Sequence, residues 1–276
     1  MRVVTDDLGR TVTIPTKVTR VVSLAPNLTE SIFAVGAGDR LVGVTTFCNY
    51  PEQAKEIAKI GDTMNPNMES IIALKPDIVF VSTASQIEKF TKTLEANGIA
   101  VYVTNPTVLK DLYKNMEEFG IIFNTSENTR KVVNYLERRE EEVRSKTGTM
   151  PVVDGDPPTD LTRVFVQISK EPLFTIGRSS FLGEIIYIAG GRSVTANIES
   201  AYPKLSKETA SALNPDAIIL SESDDNNEPN DAFKNSPAVK NGRVYKVNAD
   251  LLSRPGPRLV DALEQIARDL HPEKFK

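Results

Sequence analysis

The chain carries one segment twice. Glu69–Ser82 reads ESIIALKPDIVFVS and Glu208–Ser221 reads ETASALNPDAIILS, identical at six of fourteen positions without a gap. The shared residues are Glu, Ala, Leu, Pro, Asp and Ser. A short amphipathic helix runs into a proline, which cannot continue it because it lacks the N–H and clashes with the preceding turn. An aspartate opens the turn, and four apolar residues then read as a buried strand. Two copies of this unit, offset by 139 residues in a chain of 276, constrain the fold to two similar lobes. That length also exceeds what a single hydrophobic core usually serves.

The elements around each copy keep the same grammar. At the amino terminus, Val3–Thr5 and Thr11–Ile14 flank Asp7-Leu8-Gly9-Arg10 as a small hairpin. Strand 18–24, helix 27–35 closed by Gly36 and Gly38, and strand 41–44 precede the first copy, and helix 85–97, Gly98 and strand 99–103 follow it. Alternation of this kind predicts parallel sheet with helices on its faces. Beyond Thr107 the strands stop. Leu109, Leu112, Met116 and Phe119 mark one helical stripe, and Val132, Val133, Leu136 and Val143 mark a sparser one over about 126–146. The second helix is charged all round at Glu137–Glu142, as suits a helix that bridges lobes and is only partly buried. A Pro/Gly/Asp-rich loop, 151–160, ends it. The grammar then restarts: Arg163–Val166 echoes Arg20–Ser23, helix 181–189 ends at Gly190-Gly191, and Gly242–Val247 answers Gly98–Val103. The expected fold is therefore α/β, two Rossmann-like lobes with central parallel sheets joined by a single long connecting α-helix. The expected domains are residues 1–125, a connecting helix and loop at 126–160, and residues 161–276.

Composition narrows the function. The net charge of −4 comes from 33 basic and 37 acidic residues well interspersed, so no basic surface exists to track nucleic acid. The longest apolar stretches are strand-sized, far below the ~20 residues of a membrane helix. Residues 1–7 show no secretory signal. The single cysteine, Cys48, excludes an internal disulfide and a multi-cysteine metal cage.

A two-lobed α/β chain is expected to hold its ligand between lobes, at the carboxyl ends of the strands. Catalytic equipment for that position is missing. The one histidine, His271, lies beside Pro272 in an expected surface tail, which rules out a central Ser-His-Asp or Cys-His arrangement and a three-histidine metal site. No phosphate loop or dinucleotide fingerprint is present: Gly36-Ala37-Gly38-Asp39-Arg40-Leu41 ends a helix rather than opening one. Gly177-Arg178-Ser179-Ser180-Phe181 is not a nucleophile elbow. A non-catalytic binding module is the leading expectation. A two-lobed enzyme working on a nucleotide-type substrate with carboxylates is the alternative, and a ligand-sensing extracellular module without transport is a third.

The duplicated glutamates have two readings. With Asn67 and Ser206 as caps, Glu69 and Glu208 fall in the first helical turn, where a carboxylate complements the helix dipole by ~0.3–1 kcal/mol. Two exposed acids related by pseudo-twofold symmetry would also suit a partner that is a symmetric dimer presenting basic residues.

These residues, taken with further motifs, carry a resemblance. Asp7–Arg10 with Ile14-Pro15, Arg20–Pro26 (RVVSLAP) with Thr29-Glu30, Gly36–Gly43 (GAGDRLVG), Asn49-Tyr50-Pro51 and Gly61-Asp62 form the first set. Asn67–Val79, Gly98-Ile99, Thr175–Leu182, Ala189-Gly190-Gly191 and Arg254–Arg258 (RPGPR) complete it. The chain resembles the solute-binding proteins of ABC importers for ferric siderophores and cobalamin, the class III periplasmic binding proteins, over nearly its whole length.

The resemblance implies that Glu69 and Glu208 dock onto arginines of a dimeric ABC permease. It implies a ligand site at Pro26, Asn27, Phe47, Tyr50, Ser82 and Thr83 in the first lobe and at Phe174, Arg178, Ser179, Glu222, Ser253 and Arg254 in the second. The ligand would be a small-molecule metal chelate containing iron or cobalt, with no resident cofactor and no protein metal site. The chain has no tryptophan, so Phe47, Tyr50 and Phe174 are the candidate stacking surfaces. An anionic ferric chelate would use Arg178 and Arg254 as charge partners, whereas a nearly neutral corrinoid such as cobalamin or cobinamide would need aromatic and polar contacts. A monomer and a periplasmic or extracytoplasmic location are implied, with a signal or lipid anchor removed from the precursor. Cys48 is too far inside the sequence to be the lipid-attachment cysteine.

Overall fold

The computed structural model describes residues 1–83, 87–150 and 160–276. The chain divides into two compact units, Met1–Tyr135 and Leu136–Lys276. The first opens with an antiparallel hairpin, β1 (Arg2–Thr5) and β2 (Thr11–Ile14), with Arg2 opposite Ile14. The turn is built by Asp6, whose carboxylate accepts the Leu8 and Arg10 N–H groups at 3.1 and 2.9 Å and the Arg10 guanidinium at 2.8 Å. Asp7 pins the hairpin to the unit by accepting the Asn105 N–H at 2.7 Å and the Asn115 amide at 2.8 Å.

Next come β3 (Val21–Ser23), α1 (Pro26–Ala34) and β4 (Leu41–Val44). The first repeat copy is α2 (Met68–Ala73) and β5 (Ile78–Ser82), followed by α3 (Ile87–Ala96), β6 (Ala100–Thr104) and α4 (Leu109–Phe123). The sheet is parallel throughout, in the order β4-β3-β5-β6. Both faces of β5 are buried, which is why it reads as an unbroken apolar run. Val79 and Val81 join Val22, Leu24, Ile71, Val101 and Val103 in one cluster. On the other face Phe80 meets Phe119 edge-on at 4.7 Å, with Tyr102 and Phe123 at 5.4 and 5.7 Å. Leu109, Leu112, Met116 and Phe119, the stripe legible in the sequence, are all buried.

Helix α5 (Ser126–Thr147) runs out of the first unit and into the second. Loop 151–160 falls outside the described residues except for Asp160. The second unit continues with β7 (Thr162–Ser169), β8 (Phe174–Thr175), α6 (Leu182–Ile188) and β9 (Gly191–Ser193). The second repeat copy is α7 (Lys207–Leu213) and β10 (Ala217–Glu222), followed by α8 (Pro237–Lys240), β11 (Val244–Asn248), α9 (Ala249–Leu252) and α10 (Leu259–Leu270). Strand β10 pairs in parallel with β11 on one side and β7 on the other. The far edge of β7 is shared: β9 runs parallel to its first residues and β8 antiparallel to its last. Strands β9, β7, β10 and β11 thus repeat the order β4, β3, β5, β6, with β8 as an added reversal.

The central strands of the second sheet are parallel as expected, with the short β8 as an antiparallel addition, whereas the expected surface tail at His271 is corrected. Helix α10 buries Leu259, Val260, Ala262, Leu263, Ile266, Ala267 and Leu270, so the chain is packed up to that point. His271 follows directly, only 16% of its side chain exposed, with Nε2 3.1 Å from the Gly190 carbonyl oxygen. The charged middle of α5 is not simply solvated. Arg139 forks onto Asp261 and Glu264 of α10, both at 2.7 Å. The Arg139 bond holds the Glu264 carboxyl below its ordinary range against the opposing effect of burial.

Candidate functional site

In a parallel α/β sheet the loops that leave the carboxyl ends of the strands are the ones free to meet a ligand. In the first unit those loops follow β3, β4 and β5. Pro26 and Asn27 open α1 directly after β3, proline serving at the first helical position where its missing N–H costs nothing. Asn27 is buried. Phe47 and Tyr50 lie after β4, with 60% and 46% of their surface exposed, unusual for aromatic residues inside a packed unit. Ser82 ends β5, and Thr83 donates its N–H to the Thr104 carbonyl at 3.1 Å and its hydroxyl to Asn105 Oδ1 at 2.5 Å. The structure brings all six candidates of the first unit to one edge of one sheet.

What holds the 45–50 loop was not anticipated. Cys48 is buried, and its sulfur lies 3.1 Å from the Thr45 hydroxyl and 3.2 Å from the Thr29 hydroxyl on α1. Thr29 in turn bonds the Ser23 hydroxyl at 2.9 Å, and Ser23 bonds the Ala25 carbonyl at 3.0 Å. Lys59 adds a 3.2 Å bond to the Cys48 carbonyl. The cysteine therefore ties the loop carrying Phe47 and Tyr50 to the β3–α1 junction carrying Pro26 and Asn27. A thiol among hydroxyls leaves no pattern in the sequence that would reveal this.

In the second unit Phe174 faces Ser169 at the end of β7, Glu222 ends β10, and Ser253 and Arg254 follow the short helix after β11. These four share the carboxyl edge. Arg178 and Ser179 do not join them in the same way, because β8 runs back along β7 and carries the chain away from that edge. Their loop is pinned to 196–201 instead. The Ser179 hydroxyl donates to the Glu199 carbonyl at 2.6 Å, and Arg178 Nε donates to the Ala196 carbonyl at 3.3 Å.

Each charged candidate has an opposite charge beside it within its own unit. Arg178 lies 3.7 Å from Glu199, Glu222 lies 3.4 Å from Lys246, and the buried Arg254 lies 2.7 Å from Asp250. The loop after β10 is fixed from below by three buried amides. Gln167 Nε2 donates to Asn226 Oδ1 at 2.7 Å and to the Glu228 carbonyl at 2.9 Å, while its Oε1 accepts the Asn230 N–H at 2.8 Å. Asn226 Nδ2 donates to the carbonyls of Gln167, Ile168 and Ser221.

Glu69 and Glu208 stand apart from these loops, exposed in the first turns of α2 and α7. The caps are those expected: Asn67 Oδ1 accepts the Ser70 N–H at 2.9 Å and Ser206 Oγ accepts the Thr209 N–H at 3.1 Å. Glu208's own N–H, the Ser206 hydroxyl and the neighbouring Lys207 hold the Glu208 carboxyl below its usual range, against desolvation. Among the described residues no group of three His, Cys, Asp or Glu side chains is placed to hold a metal ion, and no helix is long and apolar enough to cross a membrane.

A family model described as periplasmic binding protein matches residues 21–251. The uncharacterized ABC transporter substrate-binding lipoprotein YvrC of Bacillus subtilis is 31% identical over 98% of this chain and 86% of its own. A vitamin B12-binding protein of Vibrio vulnificus is 31% identical over 90% of this chain and 88% of its own. The crystal structure of the periplasmic vitamin B12 binding protein of Vibrio cholerae superposes with a TM-score of 0.79, covering 95% of this chain and all of that one at 28% identity. A haem-binding protein of Roseiflexus, at 22% identity and a TM-score of 0.78, shows the same fold. Two α/β units with parallel central strands, sharing one long helix, have the architecture of an extracytoplasmic substrate-binding component. The chain belongs to the periplasmic binding protein family, and it is a binding protein rather than an enzyme. It is an extracytoplasmic protein, and its counterparts are a small-molecule ligand and an ABC permease.

Proposed function

We propose that this chain captures a cobalamin-type corrinoid and delivers it to a dimeric ABC permease. The observation that carries the reading is the charge state of the candidate site. Arg178, Glu222 and Arg254 each lie beside an opposite charge in their own unit, so the charged candidates among the described residues are already committed to partners rather than held out for an anionic ferric chelate. The exposed rings of Phe47 and Tyr50, with Phe174, offer apolar faces to a large and nearly neutral macrocycle. Pro26, Asn27, Ser82, Thr83 and Ser253 supply the polar contacts. The vitamin B12-binding relatives, at about the same identity over nine-tenths of the chain, support the same ligand class.

On this reading the cobalt arrives with the ligand and the protein holds no cofactor of its own. Glu69 and Glu208 meet basic residues of the permease, one glutamate per permease subunit, and the carrier is a monomer. The Bacillus relative's description as a lipoprotein supports a membrane-anchored precursor. Calorimetric titration and thermal unfolding with cyanocobalamin, cobinamide, ferric catecholate, ferric hydroxamate and haemin test the ligand. Cyanocobalamin or cobinamide at a hundred times its Kd adds about 2.7 kcal/mol of stability. Stabilisation by a ferric complex with none by either corrinoid refutes the proposal.

A further inference from the structure

The repeated segment does more than place a glutamate. Helices α2 and α7 have six and seven residues, half the length at which a helix holds itself in water, so their orientation is set by whatever grips their ends. The caps Asn67 and Ser206 grip the start. The far end is gripped by an arginine just before, or at the start of, the unit's central strand. Arg20 donates from Nε and Nη2 to the Leu74 carbonyl at 2.9 and 2.5 Å, and from Nε to the Lys75 carbonyl at 3.3 Å. Arg163 donates from Nη2 to the Leu213 carbonyl at 2.5 Å and from Nη1 to the Asn214 carbonyl at 3.0 Å.

Leu74 and Leu213 are the same repeat position, as are Lys75 and Asn214, and both of the latter adopt left-handed φ, 47° and 46°. The repeated aspartate closes the arrangement. Asp77 accepts the Thr19 and Arg20 N–H groups at 2.7 and 2.9 Å, Asp216 accepts the Arg163 N–H at 3.3 Å, and each aspartate N–H returns to the arginine carbonyl at 2.8 Å. The same clamp is thus built twice from residues fifty or more positions apart in the chain.

We propose that Arg20 and Arg163 are positioning residues for permease docking: each guanidinium fork fixes the helix that presents Glu69 or Glu208. The inference rests on the docking reading of those two glutamates. A carbonyl-capping fork needs the planar guanidinium, which lysine cannot reproduce, whereas an arginine touching the permease merely as a charge tolerates lysine.

The test measures binding of the full chain to its permease in lipid nanodiscs, alongside cyanocobalamin affinity and amide hydrogen exchange. The variants are Arg20→Lys, Arg163→Lys, their double, the reference Glu69→Gln/Glu208→Gln, and Val101→Ala as a core variant of lowered stability. The double lysine variant binds the permease at least tenfold more weakly, exchanges the amides of α2 and α7 at least tenfold faster, and keeps any cyanocobalamin affinity of the unmodified chain within twofold. If it does not fold, the single variants show the same pattern in one helix each. Permease binding within twofold of the unmodified chain, while Glu69→Gln/Glu208→Gln abolishes it, overturns the positioning role and leaves the docking reading standing. Unchanged binding by the glutamine variant overturns the docking reading and the positioning role with it. Equal weakening by Val101→Ala, or a loss of ligand affinity matching the loss of permease binding, also overturns the positioning role.

Discussion

Gln167→Leu should cost the second unit far more than the removal of one side-chain amide suggests. Gln167 is fully buried, and its amide serves the Asn226 side chain, the Glu228 carbonyl and the Asn230 N–H at once. Leucine matches its volume but leaves all three groups without that partner. Each unsatisfied buried group costs about 1–3 kcal/mol, so the rigid limit is about 3–9 kcal/mol. The loop relieves part of this, because Ser223, Asp224, Asp225 and Asn227 are already exposed and 223–230 can open to water. The expected loss is therefore near the lower figure, about 3 kcal/mol, or a fall in Tm of about 6–12 °C. Urea unfolding measures the loss, and hydrogen exchange locates it: the Asn226 and Asn230 amides lose protection while those of β3 and β5 in the first unit do not. The opened loop also displaces Glu222, so cyanocobalamin affinity falls. A stability change below about 1 kcal/mol, or exchange spread evenly over both units, refutes the argument that this amide carries the loop.

Four further outcomes follow from particular contacts. Lys75→Gly relieves a non-glycine residue at φ 47° and raises stability by about 0.5–1 kcal/mol in denaturant titration, without effect on ligand affinity. Gly177→Ala drives a Cβ to 2.0 Å from the Ser200 carbonyl oxygen and 2.5 Å from that of Ile198, so the loop bearing Arg178 must move, at a cost of about 2 kcal/mol or more in the same assay. Burial opposes ionisation of Asp77, but the Thr19 and Arg20 N–H groups, the Thr19 hydroxyl and the Arg20 charge together hold its carboxyl below 3.8. A depressed carboxyl stabilises the fold above its unfolded value and loses that contribution as pH falls through the folded one. The advantage of the unmodified chain over Asp77→Asn is therefore constant above about pH 5 and shrinks steadily as pH falls through the unfolded and then the lower folded carboxyl value. Cys48→Ala removes the tie between the 45–50 loop and α1 and weakens cyanocobalamin binding, whereas Cys48→Ser retains most of it, as titration calorimetry will show.

Elements whose residues speak locally were legible in the sequence. The hairpin around Asp7–Arg10, the α4 stripe, the caps Asn67 and Ser206 and both repeat strands rest on periodicity or on side chains that bond within a few residues. Strands β8 and β9 were not, since two and three residues such as Phe174-Thr175 and Gly191–Ser193 are too short to show a period. The site divides in the same way. Candidates that end a strand or lie on the loop beyond it, Pro26, Tyr50, Ser82 and Glu222 among them, fall where the α/β grammar expects ligand loops, while Arg178 and Ser179 do not, because β8 turns the chain back. Asp77 reads as a turn residue, yet its carboxylate works on N–H groups 57 and 58 positions earlier. Cys48, Gln167 and Asn226 are invisible for the same reason: each acts through side-chain bonds across distant segments.

The supports of α5 bear on how the chain matures. Arg139 finds Asp261 and Glu264 only 122 and 125 residues further along, Lys274 donates to the Thr147 carbonyl at 3.3 Å, and Lys146 sits 4.9 Å from the Phe275 ring. During vectorial synthesis or export the first unit has its whole sheet and can close early. The downstream half of α5 stays without these partners until residues 259–275 emerge, so the second unit can set firmly only once nearly all of its own sequence is present.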